Sequence, residues 1–272
     1  MVLRIAWLPG SRDNDLMTER EPLRDARGRI VADYLAGMRG GRPWADDLRA
    51  APGTPVPDLV AAIRAGLPDW HVSVDEEVGV QLAAHGAELR RHSHCYTWDL
   101  AAAPPEPRWE FPALPRTMVM VPAGDLEAAH LTPAWMSAYP VGHPDNRHGE
   151  TFESAREQLA ILFDGTLIGG LMPCSVAVLD GSRPIAACLV SDRPGSAPMG
   201  GPWITEVFRD AASRYAGLGV TVLRSTLARA AQDGVRAIGL TVTEGNRARN
   251  TYDKLGFALT GSFMTLTIPP AA

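Results

Sequence analysis

The stretch from Trp203 to Val242 constrains the fold more than any other part of the chain. It reads WITEVFRD, AASRYAGLG, VTVLRSTLARAAQDG and VRAIGLTV in succession. The first piece is short and rich in Trp, Ile, Val and Phe, the composition of a buried strand. Gly217 and Gly219 follow as a turn. Val220, Leu223, Leu227 and Ala231 then recur at helical spacing, and Gly234 ends the run. Ala237–Val242 is a second apolar, β-branched strand. Strand, glycine turn, helix, strand is a crossover unit with its glycines at the helix N-terminus.

That position has chemical meaning. A helix N-terminus carries unpaired N–H groups and a partial positive charge, so it suits phosphate. Glycines there allow close backbone approach to a bulky anion. Alone, a glycine pair before a helix also describes a plain turn. It is not a nucleotide P-loop, because the Gly-Lys-Ser/Thr ending is missing. Nor is it a dinucleotide fingerprint, lacking the third glycine and an acidic residue after the next strand.

The order of features narrows the choice. Arg214-Tyr-Ala-Gly217-Leu-Gly219, then Asn246, then Tyr252-Asp-Lys-Leu-Gly-Phe257 resembles the GNAT superfamily of acetyl-CoA-dependent N-acetyltransferases, over roughly residues 117–268. The resemblance implies an α/β (α+β) fold with a mixed, largely antiparallel central sheet flanked by helices, and acetyl-CoA as co-substrate. It implies that backbone groups of Val207, Phe208 and Arg209 meet the pantetheine arm. The amides of Arg214, Tyr215, Ala216, Gly217, Leu218, Gly219 and Val220 would hold the pyrophosphate. Tyr252 would protonate the departing sulfur, and Asn246 would either bond the pantetheine arm or cap the next helix. Glu206, on the strand near the expected thioester, is the candidate base, although a strand carboxylate can equally face solvent or pair with an arginine. Arg209 and Ala211 depart from the family pattern, which commonly has a small apolar residue and proline there. The acceptor is an amine, expected on a small molecule, and a homodimer is a possible assembly. The motifs separate neither acetyl from other acyl donors nor catalysis from a non-catalytic acyl-CoA-binding module.

An earlier segment repeats part of this pattern. Residues 58–74 align without a gap on 226–242, placing Gly66 on Gly234, and a two-residue slip then places Gly86 on Gly256. This reads as a degenerate GNAT-like half-copy. Leu82 stands where Tyr252 does, and Arg49 and Ala51 replace the two turn glycines, so this half should bind no co-substrate. The expected organisation is a half domain at 1–100, a linker at 101–116 with five prolines between Pro104 and Pro115, and a complete domain at 117–272.

Coarser readings complete the chain. Leu3–Leu8 is a short strand, 11–21 a loop or frayed helix, and Pro22–Met38 a helix with Leu23, Ile30, Tyr34 and Leu35 on one side. In the second half, Thr117–Pro122 is a strand, Leu126–Tyr139 and Phe152–Asp164 are helices, and a hairpin turns over Gly181. Between those helices lies VGHPDNRHGETFE, with His143, Asp145, Arg147, His148, Glu150 and Glu153, which the resemblance makes part of the acceptor wall. His92, His94 and Cys95 fit one alternating strand better than a metal cluster, and no metal is expected. A net charge of −5 gives no basic footprint for nucleic acid. No run of about 18 apolar residues suggests a membrane span. Three scattered cysteines fit a reduced cytoplasm.

Overall fold

The computed structural model describes residues 3–4, 20–39, 41–146, 150–166, 168–195, 197 and 200–270. The chain forms two compact units. One holds Cys95–Thr260 together with a two-residue N-terminal strand, β1 (Leu3–Arg4). The other runs to His94 and takes back the chain from Gly261 onward.

In the larger unit, β7 (Met118–Pro122), β8 (Val176–Asp180), β9 (Arg183–Arg193) and β10 (Gly201–Arg209) lie side by side and antiparallel. β10 then pairs in parallel with β11 (Ala237–Thr243) through the crossover helix α5 (Leu218–Gln232). The last position, beside β11, is filled by the end of β6 (Glu88–Asp99). The expected strand–turn–helix–strand order thus holds. α5 buries Val222, Leu223, Leu227 and Ala230 against Ile204, Val207, Ile238 and Leu240. Of the anticipated stripe Leu223 and Leu227 are buried, whereas Val220 and Ala231 are half-buried at its margins. A second core packs α3 (Ala128–Ala138) and α4 (Phe152–Asp164) on the sheet through Leu131, Trp135, Leu159, Leu189 and Phe208. Thr151 and Ser154 form a reciprocal capping box that starts α4.

The smaller unit repeats the crossover. β2 (Arg20–Arg24), β3 (Ile30–Arg39) and β4 (Arg42–Ala50) are antiparallel, and β4 pairs in parallel with β5 (His71–Asp75) through α1 (Val56–Gly66). α2 (Glu76–Ala84) follows, and β12 (Ala258–Thr267) pairs antiparallel with β5 from Phe263↔Asp75 to Thr267↔His71. The order α1–β5–α2–β6 matches α5–β11–α6–β12, where α6 is Arg249–Leu255. The repeat extends further back than residue 58, since β3 and β4 stand where β9 and β10 do.

Three expectations are corrected. Residues 22–38 form a hairpin and not a helix. Gly28, at φ +78°, turns the chain, and Asp25 Oδ1 accepts the N–H groups of Arg27 and Arg29 at 2.9 Å. The apolar residues are shared between two strands, so their near-helical spacing is incidental. Arg49 lies in β4, and the residue capping α1 is Pro55, because α1 has 11 residues where α5 has 15. The units divide after 94 and 260, not near 100 and 117. Residues 101–116 belong to the larger unit: Trp109 and Leu114 pack on its core, and Ser225 Oγ donates to the Glu110 carbonyl at 3.0 Å. Of the segment 3–8, the structure describes only Leu3 and Arg4 as strand, and residues 11–19 lie outside the described residues.

Candidate active site

The site begins where two parallel strands part. β10 and β11 pair at Trp203↔Gly239 and Ile204↔Leu240. Between Ile204 and Glu206 the register of β10 against β9 shifts, with Thr205 as the extra residue. A bulge re-aims the side chains that follow it. Glu206, just past it, is fully buried and does not face solvent. Its Oε2 accepts the Tyr139 hydroxyl at 2.7 Å. Val207 and Phe208 are also buried and lie opposite Cys188 and Ala187 of β9. β1 pairs antiparallel with β10 at Glu206 and Val207, so the strand expected to meet the pantetheine arm carries another strand there.

Tyr252 comes to the same place from α6. It is fully buried, and among the described residues its hydroxyl has no hydrogen-bond partner. Burial first, then the charges of Cys188, Asp145 and Glu206, hold its pKa well above the usual 10.0. The phenol therefore keeps its proton, as a donor must. Leu82 occupies the equivalent place in α2, equally buried, and both residues precede a left-handed glycine by four positions (Gly86, Gly256).

The loop after α3 brings a third group. Asp145 is buried, accepting Asn246 Nδ2 at 2.8 Å and the Thr243 hydroxyl. Asn246 Oδ1 accepts the Ala248 N–H at 2.8 Å. Asn246 thus closes a turn just before α6, whose N-cap is Ala248, and ties that turn to the loop. His143 Nδ1 accepts the Asp145 N–H at 3.1 Å, and its ring meets Tyr139 edge-on at 5.3 Å. From the anticipated acceptor wall, His143 and Asp145 thus reach the site, whereas Glu153 is exposed on α4 beside Arg156. Glu150 is half-buried, and Arg147 and His148 lie outside the described residues.

The glycine turn is built as its sequence requires. Gly217 caps α5 at φ +89° and ψ −23°, and a Cβ there would meet nothing, so backbone conformation alone selects glycine. Its carbonyl accepts the N–H groups of Val220 and Thr221 at 3.0 and 3.1 Å. Arg214, Ala216 and Gly217 are exposed along the turn, while Leu218 and Gly219 are buried and Val220 half-buried. Arg214 lies over the Tyr215 ring, 4.6 Å from its centroid. Tyr215 is buried and donates to Asp180 Oδ2 at 2.9 Å, so its side chain anchors the turn. Arg209, the departure from the family pattern, donates to the carbonyls of Asp210 and Ala212 at 2.6 and 3.3 Å. It clamps the junction that a small residue would leave loose.

A strand splay, a helix N-terminus opened by a left-handed glycine, and a buried acid–phenol pair are the features of the candidate site. The sequence profile of the acetyltransferase (GNAT) family matches residues 129–257. Similar folds occur in a GCN5-related N-acetyltransferase from Sphaerobacter thermophilus, with a TM-score of 0.60 and 16% identity, covering 90% of this chain and 79% of that one. A tandem GNAT protein of the clavulanic acid biosynthesis pathway gives 0.57 and 16% identity over 90% and 81% of the two chains. A GCN5-related N-acetyltransferase from Kribbella flavida gives 0.51 and 16% over 93% and 91%. No curated protein matches in sequence. Residues 129–257 match the GNAT family profile, and the chain as a whole has a fold like that of these proteins. Among the described residues no helix is long and apolar enough to cross a membrane, and Cys95, Cys174 and Cys188 are buried and form no disulfide.

Proposed function

We propose that the protein transfers an acetyl group from acetyl-CoA to a primary amine on a small-molecule acceptor. The observation that carries this reading is the buried Tyr252 hydroxyl, protonated and without a partner among the described residues, within electrostatic reach of the Glu206 carboxylate. An orphaned buried donor is costly unless a ligand completes it. A thiolate leaving from coenzyme A is such a ligand.

The residues divide the work by charge. A protonated alkyl amine has a pKa of about 10, so its proton must be removed before attack. Glu206 takes that proton, directly or through water. The amine nitrogen bonds the acetyl carbon as the carbon–sulfur bond breaks, Tyr252 gives the sulfur its proton, and the extra proton left on nitrogen passes to the phenolate, directly or through water. The first N–H groups of α5, at Leu218 and Gly219, face the end of the helix that favours the pyrophosphate. Arg214 adds charge at the exposed rim of the turn.

A second reading is a non-catalytic acyl-CoA-binding module, which would use the turn before α5 and leave the buried Glu206 carboxylate without a chemical role. Titration calorimetry with acetyl-CoA and thiol-release kinetics on a panel of primary amines separate the two. Catalysis predicts binding and amine-dependent release of coenzyme A, whereas binding without release favours the module. Gly217→Glu puts a side chain and a negative charge into the turn and should abolish binding in a folded protein. Unchanged affinity would remove the turn from the site.

A further inference from the structure

The structure assigns to Tyr139, at the end of α3, the task of positioning the Glu206 carboxylate for proton abstraction. The assignment rests on Glu206 being the base in the function proposed above, and it adds a residue that no sequence motif singles out.

Three observations fix the geometry. The Tyr139 hydroxyl donates to Glu206 Oε2 at 2.7 Å, and both side chains are buried, with Glu206 fully so and Tyr139 at 4% exposure. The ring is held from two sides, by Trp135 one turn earlier and His143 four residues later, with centroids 5.2 and 5.3 Å away and both edge-on. The Tyr139 carbonyl accepts Asn146 Nδ2 at 2.6 Å, so the main chain at the helix end is tied as well. A phenol needed only for packing would not require its hydroxyl aimed at a carboxylate. Here the aim is set by two aromatic neighbours and a tethered backbone.

The consequence is chemical. A hydrogen bond donated to a carboxylate favours its charged form and fixes the plane of its oxygens. Other titratable and charged groups lie near the carboxylate. Tyr252 on α6 stays neutral, and Asp145 and Cys188 act on the same phenol as Glu206 does. From β1, Arg4 stands opposite Glu206 in backbone register. The hydrogen bond from Tyr139 favours the charged base. Without it the carboxylate should take up a proton at higher pH and lose its fixed rotamer.

Tyr139→Phe tests this while keeping the ring between Trp135 and His143. Infrared difference spectra, with Glu206→Gln identifying the band, follow the carboxylate titration without any acceptor. The expected result is a protonation midpoint about one pH unit higher in Tyr139→Phe. In thiol-release assays the acidic limb of the rate profile should move by the same amount. Turnover should then fall about tenfold on that limb and little on the alkaline side. An unchanged midpoint in a folded Tyr139→Phe protein would overturn the assignment, even if turnover fell. A shifted midpoint with no amine-dependent thiol release in the wild type would instead sink the acetyl-transfer reading and leave the Tyr139–Glu206 coupling in place.

Discussion

Gly239→Ala isolates one of the two registered pairs at which β10 and β11 meet before they part. A Cβ at 239 would lie 2.4 Å from Cζ3 and 2.5 Å from Cε3 of Trp203, its partner in parallel register. Carbon atoms pack at about 3.5–4.0 Å, so the indole must withdraw by about 1 Å. It has little room to do so. Trp203 is 1% exposed, and the Arg193 guanidinium lies over the ring 4.9 Å from its centroid. Two effects oppose each other. Gly239 is not in the left-handed region, so alanine there is conformationally allowed and restricts the unfolded chain, a gain of about 0.4–1 kcal/mol. Overpacking a filled core costs about 1–3 kcal/mol. The clash wins, leaving a net loss of about 1–2 kcal/mol. Urea unfolding followed by tryptophan fluorescence should show a lower midpoint. An unchanged or raised midpoint would mean that the ring yields freely and that the glycine is not what brings the strands together.

Tyr252→Phe should lower turnover by about ten- to a thousandfold, the scale of one lost proton donor, with acetyl-CoA affinity in calorimetry nearly intact; equal turnover would make Tyr252 a packing residue. Stability should fall at alkaline pH. The folded pKa of Tyr252 lies well above its usual 10.0, and that of Tyr34 is pushed up to about 12 by burial and then by Glu21. The folded protein therefore keeps protons that the unfolded chain has released, so stability is full below the usual value of 10.0 and declines as pH rises beyond it. Melting temperatures across that range should decline less steeply in Tyr252→Phe, and parallel curves for the two proteins would refute the linkage.

The sequence carried the site unevenly. The crossover through α5 was readable because its apolar stripe, its glycine stop and its flanking β-branched runs all agree. Gly217 was readable as a turn because its left-handed conformation favours glycine, and Tyr252 was singled out by the resemblance alone. Tyr139 was not, since an aromatic at a helix end looks the same whether its hydroxyl is used or not. Asn246 had two readings from sequence, and its bonds to Asp145 and Ala248 come from a loop and a turn that no local pattern brings together. The hairpin at 20–39 was missed because apolar residues on two short strands can imitate one helical face. The division of the chain was missed for a topological reason: periodicity identifies β6 and β12 as strands but says nothing of which sheet each will join.

That exchange has a consequence for the order of events during synthesis. The larger unit needs Cys95–Asp99 beside β11, and this segment is made before the rest of its sheet apart from β1. The smaller unit has the opposite problem. Its β5 waits for a partner at the far end of the chain, as the bond between Ser73 and Thr265, 192 residues apart, records. Until Phe263–Thr267 leaves the ribosome, the edge of β5 stays unpaired, and Val72 and Val74 lack the cover of Met264 and Leu266. An open strand edge invites wrong pairing, and contacts this distant close slowly. The half that is translated first is therefore completed last, and a chain cut short by only a dozen residues would leave the N-terminal unit, not the C-terminal one, unfinished.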